Sequence, residues 1–124
     1  SHIAQVIQTC GDQLDVYSGN DDQIVPLLAL GAKGVISVLS NVMPRQTHDI
    51  CQLFFDGKIE QSRQLQLELL ELINALFSDV NPIPVKQAMN LMGYRCGSCR
   101  LPLDEMQPQA RQHLEELLRR HKLV

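Results

Sequence analysis

The sequence predicts an α/β chain dominated by helices: two parallel strands joined by a helix, followed by helices alone. Three observations carry this. Two short β-favouring runs are separated by a helical stretch, which is the order of a parallel crossover. The second run is apolar almost throughout, as a strand covered on both faces must be. After residue 42 no strand pattern returns.

The 124 residues bound the chain to one domain. With 44% hydrophobic and 20% charged residues, disorder is excluded. Eleven Lys and Arg against 14 Asp and Glu give a net charge of −3, so the basic footprint of a nucleic-acid binder is missing. Apolar runs fall far short of the ~20 residues that cross a bilayer, and no basic-then-apolar leader is seen, so no membrane partner is expected. Four cysteines (Cys10, Cys51, Cys96, Cys99) without such a leader read as reduced thiols of a cytoplasmic protein.

The chain opens without Met, and Ile3, Val6, Ile7 and Cys10 already have helical spacing, so it reads as beginning inside a helix. Residues 14–18 alternate and are closed by Gly19-Asn20, which predicts a strand and a turn. Ile24, Leu27, Leu28 and Ala29 predict a helix over 22–30, with Asp21 or Asp22 as N-cap and Gly31 as the stop. Residues 34–39 are the second strand, reached by a crossover expected to be right-handed.

Pro44 suits the first turn of a helix reaching Asp56, with Ile50, Leu53 and Phe54 inward and Gly57 as the break. One long helix is then predicted over 58–77. Its stripe of Leu65, Leu69, Leu72, Ile73 and Leu76 is joined by Leu67, Leu70 and Phe77 on other sides. Asn81-Pro82-Ile83-Pro84 predicts an extended segment, with Pro84 opening a helix over 85–92 that Gly93 ends. A final helix starts near Pro108, buries Ala110, Leu114, Leu117 and Leu118, and closes on cations suited to the helix dipole. The expected division is 1–57 for the last βα units of the barrel and 58–124 for a helical region.

Two parallel strands leave both sheet edges without backbone partners. The pattern therefore predicts the C-terminal part of a larger βα-repeating protein. In a (β/α)8 barrel, active sites lie at the C-terminal ends of the strands, which puts the loops after residues 18 and 39 on one rim.

Four segments then carry a resemblance. Ser18-Gly19-Asn20-Asp21, Gly31-Ala32-Lys33-Gly34-Val35-Ile36-Ser37-Val38, Asn81-Pro82-Ile83-Pro84-Val85-Lys86 and Arg100-Leu101-Pro102-Leu103 stand in the order and approximate spacing of the landmarks of dihydrodipicolinate synthase, also called 4-hydroxy-tetrahydrodipicolinate synthase. The chain resembles that family over essentially its whole length. The resemblance implies a Schiff-base lyase, usually a cytoplasmic homotetramer without a cofactor, that joins pyruvate to L-aspartate 4-semialdehyde in the diaminopimelate route to lysine. It implies that residues 14–18 and 34–39 are the last two barrel strands and that 58–124 is the family's helical extension. It also implies that Gly19 and Ile36 line the pyruvate pocket, with the backbone of Ile36 nearest the keto acid. The Schiff-base lysine, the tyrosine and threonine proton relay, the semialdehyde-binding arginine and the lysine-feedback site belong to earlier strands. No catalytic residue is therefore expected here, and the isolated chain is expected to be inactive.

None of the four lysines replaces the missing one. A Schiff-base lysine must be desolvated to be a free amine near neutrality. Lys33 and Lys58 read as loop or helix-start residues, Lys122 as a terminal one, and Lys86 follows a proline turn. Cys96-Gly97-Ser98-Cys99 has the spacing of a redox or zinc motif, yet it sits in a loop rather than at a helix N-terminus after a strand, and no second ligand pair occurs. Asp21 and Asp22 read as capping residues, and His48 and His113 as satisfied or exposed imidazoles on helices, with no metal site expected. Two other readings stay open: a sibling pyruvate aldolase acting on N-acetylneuraminate or a keto-deoxy sugar acid, and a stand-alone helical interaction module.

Overall fold

A computed structural model of the chain describes residues 2–124, which fall into two compact units. The first holds the described residues through Ser37 together with Arg45–Glu68; the second holds Val38–Pro44 and Leu69–Val124.

The first unit opens with helix α1 (His2–Cys10), whose apolar residues Ile3, Val6, Ile7 and Cys10 are half-buried. Strand β1 (Tyr17–Ser18) follows, then a 3-10 turn (Asp21–Gln23), helix α2 (Ile24–Ala29) and strand β2 (Gly34–Val35). The strands pair in parallel, Tyr17 opposite Gly34 and Ser18 opposite Val35. Backbone bonds from Lys33 N–H to the Val16 carbonyl and from Ile36 N–H to the Ser18 carbonyl, both 2.8 Å, extend the ladder at its two ends. A side chain at Gly34 would begin 3.3 Å from the Tyr17 ring, a tight contact that the ring would have to relieve by shifting.

The βαβ order is as the sequence predicts, but the strands are two residues each rather than five and six. Leu14 and Asp15 run into β1 outside the ladder, and beyond Val35 the chain turns into a 3-10 turn at Leu39–Asn41 that belongs to the second unit. Apolar continuity there reflects a buried Leu39 in a turn, not a longer strand.

Helix α2 also begins differently. Its cap position is Gln23, with no side-chain cap bond, because the 3-10 turn intervenes and takes Asp21 into the interior at 1% exposure. Its end is as predicted. Gly31 at φ +106 lets its own N–H reach the Leu28 carbonyl (3.0 Å) and the Ala32 N–H reach Leu27 (2.9 Å), the paired bonds of a Schellman closure.

Helix α3 (Pro44–Phe55) buries Thr47 and Ile50, with Leu53 and Phe54 half-buried, and Gly57 closes it. Helix α4 (Ile59–Glu68) completes this unit and packs on α2. Its buried residues are Ser62 and Gln66, whereas Leu67 is 60% exposed.

In the second unit, helices α5 (Leu70–Leu76), α6 (Ile83–Leu91) and α7 (Pro108–Arg120) pack pairwise on one another. Leu72, Ile73, Leu76, Ala88, Leu114, Leu117 and Leu118 form their shared core, all at 1% exposure or less. The helix predicted over 58–77 is thus two helices, broken at Leu69 (φ −91, ψ −4), with Phe77 on the surface. Asn81 to Pro84 is not extended. Asn81 and Pro82 form a turn, and α6 starts at Ile83 with Pro84 inside its first turn, where a missing N–H costs nothing. Ala110 is only half-buried. Among the described residues no helix is long and apolar enough to cross a membrane.

Candidate functional site

The two residues predicted to line a pocket, Gly19 and Ile36, each stand immediately after the C-terminal end of a strand. One bond brings them together: the Ile36 N–H donates to the carbonyl of Ser18, the residue before Gly19. Ile36 is 73% exposed, and nothing lies within 4 Å of where a Gly19 side chain would begin. Neither position carries an ionisable group. This rim can therefore bind through backbone and apolar surface, and proton transfer must be supplied by other groups.

The loop between β1 and α2 is held from both sides. Upstream, the fully buried Ser18 hydroxyl donates to the Asn20 carbonyl (2.8 Å) and accepts from the Asn20 N–H (3.1 Å). Downstream, Gln66 on α4 accepts from the Val25 N–H through Oε1 and donates to the Asp21 carbonyl through Nε2, both at 2.7 Å. Val25 lies in the first turn of α2, where N–H groups have no partner within the helix. Gln66 thus supplies, from 41 residues away, the partner for that N–H.

A second polar cluster lies in the other unit. Asn90 on α6 donates to the Gly97 carbonyl (2.8 Å) and accepts from the Cys96 N–H (2.8 Å), and the Lys86 ammonium donates to the Ser98 carbonyl (2.9 Å). The loop so tethered flanks a cavity of about 160 Å³ that Lys86, Asn90, Cys99, Asp104 and Glu105 help to line. Cys96 and Cys99 are free and half-buried, and no group of three His, Cys, Asp or Glu placed to hold a metal occurs among the described residues. His48 and His113 are on exposed helix surface, His48 beside Asp49 at 3.3 Å. Lys33 and Lys58 are exposed.

Sequence reasoning missed Gln66 and Asn90. For Gln66 a signal existed: Ser62, Gln66, Leu69, Ile73 and Leu76 repeat at alternating spacings of four and three, a buried stripe that runs through two polar positions. For Asn90 no pattern pointed to the loop it holds.

The dihydrodipicolinate synthetase family model matches residues 1–121. The chain is 52% identical over 124 residues to the 4-hydroxy-tetrahydrodipicolinate synthase of Clostridium perfringens strain SM101, covering all of this chain and 43% of that protein. It is 51% identical to the enzyme of the same name from Acetivibrio thermocellus, covering 42% of its length. Among solved structures, dihydrodipicolinate synthase from Thermotoga maritima superposes with a TM-score of 0.91 at 39% identity, over 98% of this chain and 42% of that one. The Aquifex aeolicus enzyme gives 0.92 at 38% identity, over 98% and 41%. The chain therefore spans less than half the length of the curated relatives it matches, and its parallel pair and helices are part of a (β/α)8 barrel fold. With strands and helices alike inside the matched span, the chain belongs to the dihydrodipicolinate synthetase family.

Proposed function

We propose that the chain is the C-terminal portion of a 4-hydroxy-tetrahydrodipicolinate synthase, the Schiff-base lyase that condenses pyruvate with L-aspartate 4-semialdehyde in the diaminopimelate route to lysine. The observation that carries this is the bond between the Ile36 N–H and the Ser18 carbonyl, which sets Gly19 and Ile36 side by side at the strand ends, where barrel enzymes bind substrate. The names of the relatives supply the chemistry.

On this reading Gly19 and Ile36 line the pyruvate pocket, and the Schiff-base lysine comes from strands outside these residues. Residues 1–57 contribute the last βα units and 58–124 the helical extension of a cytoplasmic homo-oligomer, in the family's usual form a homotetramer. The isolated chain is inactive, because no lysine follows either strand: Lys33 precedes β2, and Lys86 is on α6 with its ammonium on the Ser98 carbonyl.

Borohydride trapping tests this directly. The whole protein incubated with pyruvate and borohydride gains a reduced pyruvyl adduct, and the polypeptide of 124 residues gains none. An adduct on the shorter polypeptide refutes its inactivity; no adduct on the whole protein refutes the functional assignment.

A further inference from the structure

Nothing lies within 4 Å of where a Gly19 side chain would begin. Two anchors flank it. Ser18 holds Asn20 from the strand side, and Gln66 holds Asp21 and Val25 from the helix side. Gln66 is 4% exposed, and each end of its primary amide meets a backbone group at 2.7 Å. A planar group so engaged sets the separation of Asp21 and Val25 and thereby the exit path of the loop from β1. Aliphatic or anionic replacements cannot both donate and accept at those two points.

We propose that Gln66 is a positioning residue for substrate binding: it touches no substrate, and it holds the Gly19 side of the rim at the height that Ile36 requires across the sheet. This rests on the functional reading above, in which that rim takes the keto acid. The class of ligand affected is the 2-oxo acid, because Gly19 and Ile36 are the residues assigned to it.

The test uses the whole protein with three substitutions. Gln66→Met removes both bonds at nearly constant volume, Gln66→Glu keeps the acceptor for the Val25 N–H and loses the donor to Asp21, and Ser62→Ala removes a different buried bond from the same helix. Expected for both Gln66 variants is a KM for pyruvate raised about tenfold with kcat changed by no more than about twofold, the signature of a displaced binding loop. Faster amide exchange over residues 18–23 accompanies it. Ser62→Ala lowers Tm and leaves KM unchanged.

A KM unchanged in both Gln66 variants, or raised equally by Ser62→Ala, overturns the proposal while the functional reading stands. Whole protein that does not turn over pyruvate overturns the functional reading and this inference with it. Should Gln66→Met fail to fold, Gln66→Glu decides, since it preserves the α2 cap.

Discussion

The hydroxyl of Ser62 donates a 2.6 Å hydrogen bond to the backbone carbonyl of Ile50, joining α4 to α3 where both residues are completely buried. Ser62→Ala leaves the contact dry and removes the donor. The expected cost is about 1–2 kcal/mol, at the upper end for a single buried neutral bond. It is measured as a lower denaturant midpoint with an unchanged slope. A cost near zero would mean that the helices are held by apolar contact alone.

Asn90 uses both ends of its amide on the loop bearing Cys96 and Cys99. In Asn90→Ala the Cys96–Cys99 segment loses both of these bonds and keeps the Lys86 bond to Ser98. Alkylation of Cys96 and Cys99 by iodoacetamide is expected to accelerate several-fold, while Cys10 and Cys51 react as before. Peptide mapping by mass spectrometry reads the four sites separately. Uniform acceleration of all four would indicate general unfolding instead.

Burial pushes the Cys51 thiol above the ordinary value of 9.0. The thiolate is the reactive form, so at pH 8 Cys51 is expected to alkylate more slowly in the folded protein than in urea. The linkage has a definite sign. Below the unfolded thiol's value both states are protonated and the group leaves stability unchanged. As pH rises past 9.0 the unfolded chain ionises first, so this thiol lowers stability there. Cys51→Ala is expected to flatten the alkaline end of the stability curve, and an identical curve would remove the effect.

Lys122 is at φ +58, and it closes α7 in the same way that Gly31 closes α2: its N–H reaches Arg119 (2.9 Å) and the Leu123 N–H reaches Leu118 (2.9 Å). A side chain in this conformation costs roughly 1 kcal/mol. Lys122→Gly is expected to recover up to about that amount locally, seen as slower exchange of the Leu123 amide. Faster exchange would show that lysine holds the cap better than its backbone strain suggests.

The punctuation residues were the legible part of the sequence. Gly31, Gly57 and Gly93 end helices where predicted, each with positive φ, and Pro44 and Pro108 begin them. The parallel pair was legible too, from apolar runs on either side of a helical one. The polar residues inside α4 were not legible. Ser62 and Gln66 are buried, because their hydrogen-bond partners, the carbonyls of Ile50 and Asp21 and the Val25 N–H, permit burial without penalty. Conversely Leu67 and Phe77, the apolar residues off the predicted stripe, are on the surface of their own units. The break at Leu69 has no glycine or proline to announce it. The rim residues were reached through the resemblance; the burial of Gln66 was readable from its spacing, but its partners were not, because no local pattern links position 66 to position 21.

The bond from Ile36 to Ser18 draws on the main chain alone, so position 36 is asked for an amide hydrogen rather than for a shape. Every residue but the imino acid, which has no hydrogen to give, can supply that bond. Proline at position 36 would therefore cut the tie between the two strand ends whatever else its ring could do there.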